Sequence, residues 1–199
     1  PYTKVKASCF DKANLSIRWF EDGTLNASYN CLDRHLEHRG SETAIVWEGD
    51  DPSQSKKVSY SELHEQVCKL ANAMRELGVI KGDRVCIYMP MIIEATVAML
   101  ACSRIGAVHS VVFGGFSPQS LADRINDCNA TLVITADVGF RAGKTIPLKA
   151  NVDQALISCG SVRHVIVVQN TCLEIPMVDG RDLFYGAICE RQLSNCEPE

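Results

Sequence analysis

Leu32 and Leu36 lie four apart among polar residues in 30–39, and Gly40 follows, so this stretch predicts a short amphipathic helix with a glycine stop. The apolar run 43–47 predicts a strand, and 49–57 reads as a polar connection. Ser59 and Glu62 then have the spacing of a capping box, in which serine and glutamate satisfy each other's free backbone amides. Beyond it Leu63, Val67, Leu70, Met74 and Leu77 recur at steps of four and three, giving one apolar stripe, and Gly78 suits the left-handed position after a helix. From there strand and helix alternate: strands over 84–89, 107–113 and 131–135, helices over 92–105 and 118–128. A helix over 148–157, a strand over 164–168 and a final helix over 182–192 follow. The strands are nearly continuous apolar runs, as expected where helices cover both faces of a parallel sheet. The predicted fold class is α/β, a doubly wound, mainly parallel sheet with helices on both faces.

Composition narrows this picture. The 199 residues are 46% hydrophobic, enough for the core of one ordinary domain, and the net charge of -4 is spread along the chain. No global field favours nucleic acid or a membrane surface, so any phosphate site must be built locally. Ten cysteines occur without a C-x-x-C pair, and Cys68, Cys86, Cys102 and Cys128 fall in apolar periodic stretches. They read as buried reduced thiols of a cytoplasmic protein. The five histidines do not pair with cysteines at metal-ligand spacing, so no metal site is expected. No apolar run of about 18 residues and no secretory leader pattern is present. Both ends read as cut, at Pro1 and in the polar residues 196–199.

Ligands of an open parallel sheet bind outside the carboxyl ends of its strands, which singles out three loops. Met89, Pro90 and Met91 offer no polar side chain and read as a helix start. Phe113, Gly114, Gly115, Phe116, Ser117 and Pro118 combine a tight, open backbone with an N-cap and a proline suited to a first helical turn. Free amides there suit an anion or a ring edge, although a bare strand-to-helix turn explains the glycines equally well. The loop 136–146 is more specific: no acidic residue lies between Asp137 and Asp153, whereas Arg141, Lys144 and Lys149 do. Arg141, Ala142, Gly143 and Lys144 present two cations on a flexible loop, an arrangement that suits a terminal phosphate. Both loops leave the same edge of a parallel sheet, which favours a phosphate-bearing ligand over a solvated loop. Glu94, His109, Trp19 and Trp47 read as structural, and the carboxylates of 48–51 as a solvated turn. No nucleophile elbow, catalytic carboxylate pair or Walker loop is present, so no catalytic residue is assigned.

Six stretches in register, residues 1–6, 19–26, 30–35, 47–51, 88–91 and 105–117, resemble the acetyl-CoA synthetases of the adenylate-forming superfamily. The likeness spans essentially the whole chain. It implies an AMP-forming acetate–CoA ligase: ATP and acetate give acetyl-adenylate and pyrophosphate, and the CoA thiol then displaces AMP. It also implies an N-terminal segment over 1–33 and the first, truncated part of an AMP-binding domain over 34–199. Phe113, Gly114 and Gly115 match the family segment that lies against the CoA adenine, and Arg141, Ala142, Gly143 and Lys144 match its loop around the CoA nucleotide phosphates. Relatives often carry arginine where this chain has Lys144, which keeps the charge without the two-pronged donor geometry. ATP and Mg2+ are expected to be bound mainly by a later region, including a glycine-rich phosphate loop. The expected partners are the small molecules acetate, ATP and CoA, without nucleic acid or membrane. A propionyl-CoA synthetase and a non-catalytic CoA or nucleotide-binding module are the alternatives.

Overall fold

In the computed structural model, residues 2–171 and 173–199 are described. The chain opens with an antiparallel ribbon, β1 (Lys6–Cys9) and β2 (Ser16–Trp19). Trp19, expected to pack, is 57% exposed there, with the Lys6 ammonium 5.0 Å from its ring centre. Two short helices follow, α1 (Ala27–Cys31) and α2 (Asp33–Arg39), where the apolar spacing predicts one. The break at Leu32 buries that side chain in the core. It also lets Ser28 of α1 and Asp33 of α2 face the same buried guanidinium, that of Arg104. The expected stop at Gly40 is real, but its backbone is right-handed and its smallness is what matters. A Cβ there would stand 2.6 Å from the Ser61 hydroxyl and 2.7 Å from the Leu36 carbonyl.

The polar connection after β3 (Thr43–Glu48) is shorter than its composition suggests, because β4 (Ser55–Ser59) pairs back antiparallel on β3. Ser59 then caps α3 (Tyr60–Glu76): the Glu62 carboxylate accepts from the Ser59 amide at 2.7 Å, and Ser59 Oγ accepts from the Glu62 amide. Leu63, Val67, Leu70 and Met74 of the stripe are buried, and Gly78 takes a left-handed φ of 82° just past the helix end.

The alternating region becomes β5 (Arg84–Met89), α4 (Ile93–Arg104), β6 (Val108–Phe113), α5 (Pro118–Cys128) and β7 (Leu132–Ala136). A hairpin of β8 (Gly139–Arg141) and β9 (Lys144–Ile146) precedes α6 (Leu148–Leu156), β10 (His164–Val168), β11 (Asp182–Phe184) and α7 (Tyr185–Glu190). Five strands form one parallel sheet in the order β11-β10-β7-β5-β6. β7 is buried at every position and β5 nearly so, which requires cover on both faces. One group of helices, α4 and α7 against α3, and a second, α5 against α6, supply it. The predicted α/β class and parallel order are therefore found. The helix expected over 182–192 instead begins as β11, because Leu183 and Phe184 add to β10 opposite Ile166 and Val167 before the chain turns into α7.

Strand order reverses between β5, which leads outward to β6, and β7, which starts the other half. That switch point is where the sheet opens a crevice at its carboxyl edge.

Candidate functional site

The loops chosen from sequence meet at this edge. β6 ends at Phe113, and a turn closed by the Phe116 amide on the Phe113 carbonyl at 3.0 Å carries the chain over Gly114 and Gly115. Ser117 caps α5 by accepting from the Ser120 amide, with Pro118 in the first turn. A side chain at either glycine would be crowded. A Cβ on Gly115 would stand 2.5 Å from the Phe113 ring, and one on Gly114 would meet the Met89 carbonyl and a Leu148 methyl. The Phe113 ring, half exposed, thus rests on the glycine backbone, with Phe116 edge-on to it at 5.8 Å.

The loop 136–146 is a hairpin rather than a flexible loop. Ala142 and Gly143 have φ of 49° and 72°, the left-handed pair that a two-residue turn of a twisted ribbon demands. Arg141 and Lys144 are consequently paired directly across β8 and β9, and both are exposed. The Arg141 guanidinium lies 4.7 Å from the centre of the Phe113 ring, so the two candidate loops meet. The Gly143 amide points toward Asp50 Oδ2 at 3.4 Å, which brings the β3–β4 turn against the hairpin tip.

Lys149 does not join this cation pair. It is 1% exposed and donates to Asp153 at 2.8 Å, to Asp182 at 2.8 Å and to the Pro176 carbonyl at 3.1 Å. Arg181 completes this group against Asp182 and Asp153. Two acids and two bases balance one another, so the positive patch consists of Arg141 and Lys144.

Sequence reasoning missed what supports the two loops. Asp137, at the end of β7, is buried and accepts four hydrogen bonds: from the amides of Val138 at 2.6 Å, Asn170 at 2.9 Å and Thr171 at 2.9 Å, and from the Thr171 hydroxyl at 2.7 Å. It ties the hairpin base to the loop after β10. Tyr88, buried inside β5, donates its phenol toward the Phe116 carbonyl at 2.8 Å, with the Gly114 carbonyl at 3.1 Å. Burial raises the Tyr88 phenol above its ordinary range, which keeps it a donor. Only the position of an acid or a tyrosine at a strand end could have signalled either residue.

Behind the hairpin lies a cleft of about 490 Å3 at the switch point, with Trp47, Asp50, Pro90, Met91, Phe140 and Asn170 among its walls. The loop after β5 thus contributes walls as well as a helix start, and the half-buried Trp47 indole donates to the Met91 carbonyl at 2.7 Å. Glu94 and His109 stand apart from the two loops, in the first turn of α4 and near the start of β6. Burial lowers the His109 imidazole pKa. Among the described residues, no group of three or more His, Cys, Asp or Glu side chains is placed to hold a metal ion.

The model of the AMP-binding enzyme family matches residues 32–182, about three quarters of the sequence. The chain belongs to the AMP-binding enzyme family. A second model, the acetyl-coenzyme A synthetase N-terminus, matches residues 1–31 ahead of the AMP-binding region. The chain is 60% identical over 199 residues to an acetyl-coenzyme A synthetase of Parvibaculum lavamentivorans, a match covering all of this chain and 31% of that protein. It is 58% identical to the enzyme of that name from Serratia proteamaculans, with the same coverage. Among solved structures, acetoacetyl-CoA synthetase from Streptomyces lividans superposes with a TM-score of 0.83 at 29% identity, covering 100% of this chain and 29% of that one. The chain thus spans about a third of the length of such AMP-binding relatives.

Proposed function

We propose that this chain supplies the coenzyme A-binding part of an AMP-forming acetate–CoA ligase. The observation that carries the reading is the meeting of Arg141 with Phe113, which makes the glycine turn and the basic hairpin one surface at the carboxyl edge. Arg141 and Lys144 are the cations for the nucleotide phosphates of CoA, and the tip residues Ala142 and Gly143 let the backbone approach them. Phe113 offers its ring to the adenine, with Gly114 and Gly115 keeping that side clear of side chains. Acetate as the acid rests on the relatives' names.

The reaction so assigned is acetate attack on ATP, giving acetyl-adenylate and pyrophosphate, followed by attack of the CoA thiol on the acyl carbon with AMP leaving. The residues of this chain bind and orient CoA for the second step, and none is given a bond-making role. The N-terminal segment is assigned to 1–33 and the beginning of the AMP-binding domain to 34–199. A cytoplasmic location fits the free cysteines among the described residues. No described helix is long and apolar enough to cross a membrane.

Titration calorimetry of the 199-residue chain with CoA and with 3′-dephospho-CoA tests the assignment. CoA should bind, and Arg141→Ala should weaken it about tenfold or more through loss of a charge-assisted contact. Absence of CoA binding by the unaltered chain, or equal affinity after Arg141→Ala, would contradict it.

A further inference from the structure

The support beneath the two loops is more specific than packing requires. Tyr88 sits on the central strand β5, fully buried, and among the described residues its phenol is the one side-chain group that reaches both the Gly114 and the Phe116 carbonyls. A single hydroxyl hydrogen shared by these two carbonyls closes the Phe113–Phe116 turn from below, while the Phe116 amide closes it along the chain. The phenol oxygen in turn accepts from Asn151 Nδ2 of α6 at 3.2 Å, which fixes the hydroxyl's direction toward the turn. The Tyr88 backbone carbonyl accepts from Thr135 Oγ1 of β7 at 2.8 Å, so the strand carrying the phenol is itself tied to its neighbour.

The same helix reaches the basic hairpin. Leu148, one turn before Asn151 and 1% exposed, has one terminal methyl 3.3 Å from where a Cβ on Gly114 would stand. Its other terminal methyl is 3.2 Å from the corresponding point on Gly139, the first residue of the hairpin. One leucine therefore spaces the glycine turn from the hairpin base, and the absence of a side chain at both glycines is what admits it. The start of α6 and the phenol it contacts thus lie beneath both the glycine turn and the hairpin base.

We infer that Tyr88 and Asn151, with Leu148 as spacer, are positioning residues for the CoA nucleotide: they hold the Phe113 turn at a fixed distance from the Arg141–Lys144 hairpin so that ring and phosphate contacts form together. This rests on the CoA reading above. It extends that reading to residues that touch no ligand and act only through the turn.

The test uses the 199-residue chain with Tyr88→Phe, which removes one oxygen and keeps the ring, and Asn151→Ala as a second variant. Ser59→Ala, at the cap of α3, serves as a control for lost stability elsewhere. Amide hydrogen exchange followed by NMR reads the turn without ligand: exchange at Phe116 should speed up about tenfold in Tyr88→Phe and not in the control. Calorimetry should then show CoA weakened about fivefold and 3′-dephospho-CoA weakened by a smaller factor, because the ring and phosphate contacts no longer form together. Unchanged Phe116 exchange in both site variants overturns the inference. So does an unchanged CoA affinity when the parent chain binds CoA, or an equal loss in Ser59→Ala. If the parent chain does not bind CoA, the assignment of the ligand falls, and the exchange result still decides whether Tyr88 holds the turn.

Discussion

Arg104 is the largest side chain in the core with almost no exposure, at 1%, and it is placed by partners distant in sequence. Its guanidinium makes two bonds of 2.8 Å to the Asp33 carboxylate, approaches Ser28 and His64, and donates through Nε to the Cys196 carbonyl. Residues 196–199, which read as a polar linker, are thereby docked: Cys196 is buried, and the Glu199 amide bonds the Arg104 carbonyl. Burial by itself would raise the Asp33 pKa, but the hydrogen bonds and charge of Arg104 outweigh it and hold the carboxyl below its ordinary range. A carboxyl depressed in the folded state stabilises above its unfolded pKa of about 3.9, and that contribution is lost as pH falls through the lower folded value. Urea midpoints between about pH 5 and 2 should therefore fall more steeply for the parent chain than for Asp33→Asn. Arg104→Met, which strands the carboxylate, should cost about 3 to 5 kcal/mol at neutral pH in the same assay. Nothing local announces this role: within the apolar stretch 92–105 an arginine reads as the end of a helix. Of the four cysteines expected to be buried, Cys68, Cys86 and Cys102 are, and Cys128 is half-buried. Cys86, Cys102 and Cys189 are buried, and desolvation pushes their thiols up to about 12. At pH 8 the native chain should label rapidly at the exposed Cys31 and not at these three, as mass spectrometry after brief iodoacetamide treatment would show.

Elements with a strong local signature formed where expected. The capping box, the apolar stripe and Gly78 all act within α3, so its bounds could be read from neighbouring residues alone. Ser59→Ala should lower stability by about 1 kcal/mol in thermal or urea melts. Where an element depends on a distant partner, local pattern was insufficient. β4 exists because β3 lies opposite, β11 because β10 offers an open side, and the β8–β9 ribbon because two left-handed residues turn it back. The basic loop was chosen for its charge, yet composition could not separate Lys149, whose ammonium is consumed by Asp153 and Asp182, from Arg141 and Lys144. A lysine two or three residues from a proline looks the same on a solvated loop and on a buried helix face.

Across the whole molecule, β6 is one of the two outer strands of the sheet, hydrogen-bonded to β5 alone among the described strands. It leaves Val108, Val111 and Phe113 about half exposed. An open strand edge beside exposed apolar side chains favours pairing with another chain. The 199-residue chain should self-associate with rising concentration in sedimentation velocity, and Val111→Lys should shift it toward monomer. A monodisperse parent chain over the same range would oppose this expectation. The sequence by itself determined the alternation of strands and helices, the α/β class, and which two loops carry glycine and charge, because periodicity and turn chemistry act over a few residues. Tertiary structure alone decided that Phe113 meets Arg141, that Lys149 and Arg104 are neutralised inside, and that Tyr88 holds the glycine turn. Those outcomes depend on strand order and on contacts between residues far apart in the chain, and no local pattern encodes such distances.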